Sequence, residues 1–196
     1  MKNGKKFMEQ NLENNYRIKL REQIKESYGK IVYSFTAHEK NASRLKKYDS
    51  YIKVVQIILS ALISVSLVSL IIENEIVSAI IGSILSFILL IINSLNKSFT
   101  FVERANKHIE TADKLWIIRE DYISLLTDFD VLTIEEIVKK RDELKIQSSI
   151  TYKNSDRTDK KSYKETQVAL QIEEEQTFKD NELNNFLHQG IKNKIE

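Results

Sequence analysis

At 196 residues and 22.9 kDa the chain has room for about one domain, and its 42% hydrophobic content is ordinary for a soluble protein. The absence of cysteine excludes a disulfide framework, a thiolate zinc site and a cysteine nucleophile, while no proline and only four glycines favour long helices over a many-stranded fold. A net charge of +2 gives no argument for direct nucleic-acid binding.

These averages conceal a strong segregation. Residues 1–51 carry a local charge of +6 and residues 165–196 one of −4. A basic approach to a membrane and an acidic tail away from it suit anionic inner-leaflet lipids, although solvated helix faces explain the tail equally well. Residues 1–15 read as a flexible N-terminus. Residues 16–51 read as an amphipathic helix, with Ile24, Tyr28, Ile31, Phe35, Ala42 and Leu45 among its apolar positions and Gly29 as a weak point.

The middle of the chain is apolar. Val54 to Ile72 is a run of 19 residues without a charge, and Ile76 to Asn96 a run of 21. As helices rising about 1.5 Å per residue, each reaches roughly the 30 Å of a bilayer core. Residues 52–96 are therefore expected to form a hairpin of two transmembrane helices, 52–72 and 76–96. Only Glu73, Asn74 and Glu75 separate the spans, whereas Lys40, Arg44, Lys46, Lys47 and Lys53 precede them and Lys97, Arg104 and Lys107 follow. This bias places both termini in the cytoplasm and the short turn outside. Tyr48, Tyr51, Phe99 and Phe101 suit the inner interface.

Polar residues in the spans cluster on one side of each helix. Lys53, Gln56, Ser60 and Ser64 share an arc of about 80° on the first, and Ser78, Gly82, Ser86 and Asn93 a similar arc on the second. Ser66 and Ser69 fall off the first arc. Small residues four apart permit close packing of helices in lipid, with hydroxyls and amides bonding across the contact. The functional alternative is that one stripe lines a water-filled pathway in an oligomer, since two helices cannot enclose a pore.

The periodicity continues beyond the second span without a breaker. Val102, Ala105, Ile109, Ala112, Trp116, Ile123 and Leu126 recur at steps of three and four, with Arg119 filling one step, which predicts a helix unbroken from Ile76 to about Thr127. Thr133 with Glu136 forms a capping box that opens a helix through about Gln147, completing a cytoplasmic helical segment over 97–147. Residues 148–164 read as a polar connector and 165–196 as an acidic helical tail. Within that region, helices are expected from about Lys164 to Thr177 and around Asn184 to Ile191. The expected fold class is thus an all-α membrane protein, a two-transmembrane hairpin with long cytoplasmic helical extensions.

Catalytic chemistry is not visible. His38, His108 and His188 lie in separate segments without a second ligand at metal spacing, so they read as surface or packing histidines, and no metal or cofactor is expected. The neighbours Glu135 and Glu136, and Glu173 to Glu175, point to different sides of a helix and read as solvated faces. Trp116, Arg119 and Tyr122 share a helical face that serves either packing or a partner; a base stacked on Trp116 with its phosphate at Arg119 is physically possible.

The order Thr36-Ala37-His38-Glu39-Lys40 and Arg44-Leu45, a two-span hairpin, then His108, Ala112, the run Trp116 to Tyr122 and Leu125-Leu126-Thr127-Asp128-Phe129 resembles the SLATT family. These are two-transmembrane effector domains associated with SMODS nucleotidyltransferases and SLOG sensors in bacterial conflict systems; some accompany a reverse transcriptase. The resemblance covers roughly Ile24 to Gln171. It implies an antiphage effector that forms a homo-oligomer and permeabilises the bacterial inner membrane when a partner or nucleotide signal triggers it. His108, Trp116, Arg119 and Tyr122 are the expected surface for that trigger. The rival reading is a membrane-anchored helical adaptor that recruits a soluble enzyme and conducts nothing.

Overall fold

The computed structural model describes residues 2–73, 76–178 and 182, and every regular element among them is a helix. These are α1 (Lys2–Glu73), α2 (Ile76–Phe99), α3 (Phe101–Thr127), α4 (Ile134–Asn154) and α5 (Lys160–Gln171). With no proline to remove a backbone donor, α1 runs for 72 residues, roughly 110 Å, and joins the amphipathic segment to the first span. It is helical from Lys2, through the residues expected to be a flexible N-terminus.

The hairpin closes along a seam with steps of three and four. On α1 the half-buried positions are Ile52, Gln56, Leu59, Ile63, Ser66 and Leu70; on α2 they are Ser78, Gly82, Leu85, Leu89, Ile92 and Asn96, of which Gly82 is buried. Gly82 permits the approach, since a Cβ there would lie 3.1 Å from Ser66 Cβ. Twenty large apolar side chains between Val54 and Leu95 remain exposed. Leaving them in water at roughly 1.5–3 kcal/mol each would exceed the stability of an ordinary domain, about 5–15 kcal/mol. None of the most apolar stretch of α1 and 6% of that of α2 is buried, so these are not core helices of a soluble protein. The chain is all-α with a two-transmembrane hairpin.

The second span does not continue unbroken into the following helix. Thr100, at φ 45° and ψ 43°, separates α2 from α3. A β-branched residue in the left-handed region costs about 1–3 kcal/mol and must be held by its surroundings. Hydrogen bonds bridge the break, from Thr100 N to Asn96 O (3.3 Å) and from Arg104 N to Thr100 O (3.0 Å). The flanking rings clamp it: Phe99 stacks on Phe101 at 5.5 Å, and Phe101 meets Tyr48 edge-on at 6.2 Å.

Beyond the spans, α3 runs back along α1 while α4 and α5 pack onto that pair. Leu20, Ile24 and Ile31 of α1 meet Leu115, Ile118, Tyr122 and Leu125 of α3, closed by Phe129 and by Ile137 and Leu144 of α4. The buried face of α3 is rotated by one position from the predicted seam, to Leu115 and Leu125 in place of Trp116 and Leu126. Adjacent apolar residues fit either register. The leucine enters the contact, whereas Trp116 remains 44% exposed across its edge, against Phe35 at 5.4 Å.

At the α3–α4 corner, Arg17 Nη2 donates to the Phe129 and Leu132 carbonyls (2.9 and 2.8 Å), and Arg21 stacks on the Phe129 ring and pairs with Asp130. The Thr133–Glu136 capping box forms, and α4 continues to Asn154, into the segment expected to be a connector. The non-helical link shortens to residues 155–159, and α5 starts at Lys160 and ends at Gln171, earlier at both ends than expected. Asn74, Glu75, His188 and the helix expected around Asn184 to Ile191 lie outside the described residues.

Candidate functional site

The polar residues expected to form two stripes divide between two environments. Gln56 Nε2 donates to Asn93 Oδ1 at 2.8 Å, Ser78 Oγ to Ser69 Oγ at 3.2 Å, and Gly82 sits against Ser66. Gln56, Ser78, Gly82 and Asn93 thus join the two helices, as do Ser66 and Ser69, which the helical wheel alone set apart. Ser60, Ser64 and Ser86 remain exposed, with Ser60 Oγ and Ser64 Oγ donating to the carbonyls of Gln56 (2.8 Å) and Ser60 (2.9 Å). Lys53 Nζ pairs with Asp49 at 2.7 Å.

The four residues expected to receive a trigger also separate. Trp116 lies on an exposed edge while Arg119 beneath it is largely covered, the guanidinium 4.5 Å from the indole centroid and bonded to Glu120. His108 and Tyr122 face inward, 1% and 3% exposed.

His108 instead belongs to a polar cluster that joins α1, α3 and α5. His108 Nδ1 lies 2.9 Å from His38 Nδ1, and Asn41 Nδ2 lies 3.0 Å from His108 Nε2. Arg44 Nη2 reaches Asn41 Oδ1 (3.0 Å), Ser162 Oγ (2.9 Å) and Asp159 Oδ2 (2.6 Å), while its Nη1 donates to Glu165 Oε2 (2.6 Å). Asp159 also caps α5, accepting from the backbone and hydroxyl of Ser162 at 2.7 and 2.8 Å.

The donor inventory orders this cluster. A guanidinium only donates, so the Asn41 carbonyl oxygen faces Arg44 and its amide nitrogen faces His108. Nε2 of His108 must then accept. A neutral His108 carries its proton on Nδ1 and donates to His38 Nδ1, which leaves the His38 proton on Nε2. Burial, followed by the neighbouring His108, lowers His38 to about 4, against an opposing pull from Asp156. Burial also lowers His108, again opposed by Asp156. Both rings are therefore neutral near pH 7. Burial alone would raise Asp159, but hydrogen bonds from Ser162 and the Arg44 charge hold it below the usual carboxylate range.

Periodicity read for apolar residues alone misses His38, Asn41, Arg44, Asp159 and Glu165. Their signal is polar residues in seam positions: His38 lies four before Ala42, and His108 three after Ala105 and four before Ala112, all three alanines being buried.

An all-α protein with a two-span hairpin and an adjoining bundle tied by one polar cluster is a helical membrane protein, with no catalytic constellation among its described residues. The chain belongs to the SMODS and SLOG-associating 2TM effector domain family 4, whose family model matches residues 20–182. That match takes in both spans and every member of the polar cluster. Comparison with curated proteins and with solved structures finds no match for the chain.

Proposed function

We propose that the chain is an inner-membrane effector of a bacterial antiphage or conflict system that assembles through its hairpins and opens a pathway across the membrane. The observation that carries this reading is the difference between the two sides of the hairpin. Because α1 and α2 are antiparallel and right-handed, positions about 60–140° beyond the seam on each helix fall on one common side. That side bears Lys53, Ser60 and Ser64 from α1, and Ser83, Ser86 and Asn93 from α2, interleaved with the exposed Ile57, Leu67, Ile71 and Leu90. The opposite side bears Val55, Ile58, Leu62 and Val65, and Ile81, Ile84, Ile88 and Leu95. Lipid suits the second side, while the first offers small and hydroxyl-bearing residues to further copies or to water.

The basic flanks support an orientation with both termini in the cytoplasm, where the family's name points to a SMODS nucleotidyltransferase or SLOG-type sensor as partner, with a reverse transcriptase as a further possibility. No catalysis is part of this reading. The adaptor alternative is favoured by one contact, the bond from Gln56 Nε2 to Asn93 Oδ1, which engages both amides inside a single hairpin.

Dye release from vesicles carrying purified protein tests the proposal. Ser60→Leu with Ser64→Leu should preserve insertion and reduce leakage at least tenfold, with assembly above 22.9 kDa seen in mild detergent for the parent chain. Insertion without leakage by the parent under every triggering condition would favour the adaptor. For orientation, an impermeant thiol reagent on spheroplasts should label Ile76→Cys and spare Asp130→Cys; the reverse pattern would invert the topology.

A further inference from the structure

A furrow runs along α1 beneath α4 and the 155–159 link, in two parts that meet at Lys30 and Tyr152, which line both. The first part, about 950 Å³, is floored by Gly29, Ala37 and His38 and rimmed by Tyr33 and Tyr163, whose ring centroids are 5.1 Å apart. The second, about 400 Å³, is lined by Lys30, Arg141 and Lys145 with the hydroxyls of Ser27, Ser148 and Ser149, and no carboxylate lines it. Both volumes lie within or near the range of small-molecule sites, roughly 300–1,000 Å³.

Two features of the floor have no purpose within the chain's own packing. A Cβ on Gly29 would meet nothing within 4 Å, so no neighbour requires a glycine that costs the helix about 1 kcal/mol relative to alanine. The bare backbone leaves room for something to approach closely. His38 lines the furrow, and its Nε2, which makes no hydrogen bond among the described residues and is not one of their enclosed unpaired atoms, is open to it. The cluster behind it makes that nitrogen a neutral N–H donor, suited to an acceptor in the furrow.

Two of the three cations, Lys30 and Lys145, are held loosely. Arg141 is held by two bonds to Asp142 (3.0 and 2.8 Å) and one to Gln23 (3.2 Å), whereas Lys145 has no ion-pair partner among the described residues and Lys30 pairs with Glu26 (2.6 Å), a carboxylate more than half exposed. Such surface pairs are weak and readily exchange their carboxylate for another oxyanion.

We propose that this furrow binds a small ligand carrying a flat ring and an oxyanion, the ring against Tyr33 and Tyr163 over Gly29 and the oxyanion on Lys30, Arg141 and Lys145. The site is separate from the membrane pathway, so binding and leakage can fail independently. The oxyanion is a phosphoryl group or a carboxylate.

Titration of the full chain in detergent with phenyl phosphate, benzoate, AMP and inorganic phosphate tests it. Saturable binding of phenyl phosphate or benzoate is expected, at least tenfold tighter than inorganic phosphate; the tighter of the two identifies the oxyanion, and AMP tighter than phenyl phosphate indicates a nucleotide source. Lys145→Glu and Gly29→Leu should each weaken binding at least tenfold. Gly29→Ala should raise the melting temperature, which shows that added side chains at this position do not unfold the helix. The proposal is overturned if neither simple ring compound binds up to about 10 mM, if inorganic phosphate binds equally well, or if binding survives both variants.

Discussion

His38 Nδ1 and His108 Nδ1 lie 2.9 Å apart across 70 residues of sequence, and the shared hydrogen bond requires that at least one ring be unprotonated. The folded pKa of His38, about 4, lies below the ordinary 6.5, so the unfolded chain binds the proton more readily. The resulting stability is fully present above about pH 6.5 and is lost as pH falls from there toward about 4. Melting temperature measured across that window should fall in the parent chain, and His38→Gln should flatten the slope. An equal slope in both would assign the acid sensitivity to carboxylates instead.

Arg44 is the point at which α5 is tied to α1. Arg44→Met keeps the aliphatic stem but removes one donor each from Asn41, Asp159 and Glu165, of which Asp159 keeps its bonds from Ser162, at a cost of about 1–3 kcal/mol. Hydrogen exchange should accelerate across Lys160–Gln171 more than across α3. Arg44→Lys should recover only part of the protection, because an ammonium cannot reproduce the planar fork. Uniform acceleration through the whole bundle would mean that Arg44 supports the core and not α5 in particular.

The hairpin seam can be read in a chain that has no cysteine of its own. Ser69→Cys with Ser78→Cys should form an intramolecular crosslink on mild oxidation, given hydroxyls 3.2 Å apart. Adding Gly82→Leu should suppress that crosslink, because the first new carbon already meets Ser66 Cβ at 3.1 Å. Efficient crosslinking despite Gly82→Leu would show that the seam tolerates separation at that level.

Trp116, 44% exposed, and the largely covered Arg119 form an aromatic–cation pair at the edge of α3. Trp116→Ala with Arg119→Ala should cost about 1–2 kcal/mol of stability, the loss of a half-buried ring and one cation–π contact. Insertion should be unchanged while growth arrest in response to the neighbouring system's signal is lost. A normal response in the folded double variant would make this pair a packing feature only.

Sequence alone determined the elements whose cause is local. Two uncharged runs of bilayer length specify the spans, the lack of proline permits a helix of 72 residues, and Thr133 with Glu136 starts α4 at the expected residue. The polar arcs on the spans were legible as arcs. Which members meet was not, because the seam depends on how two helices rotate against each other, and that rotation draws Ser66 and Ser69 into contact while leaving Ser60 and Ser64 outside. The break at Thr100 carries no glycine or proline to announce it and exists because Phe99, Phe101 and Tyr48 hold it. The polar cluster is the clearest case. Each of His38, Asn41, Arg44, His108, Asp159 and Glu165 reads as an ordinary polar residue of a separate helix or its cap, and only the packing of α3 and α5 on α1 buries the first four and brings the two carboxylates to their rim. Desolvation is a property of the assembled fold, so the lowered histidine pKa values, the fixed tautomers and the unpartnered His38 Nε2 arise with tertiary structure and have no counterpart in the linear chain.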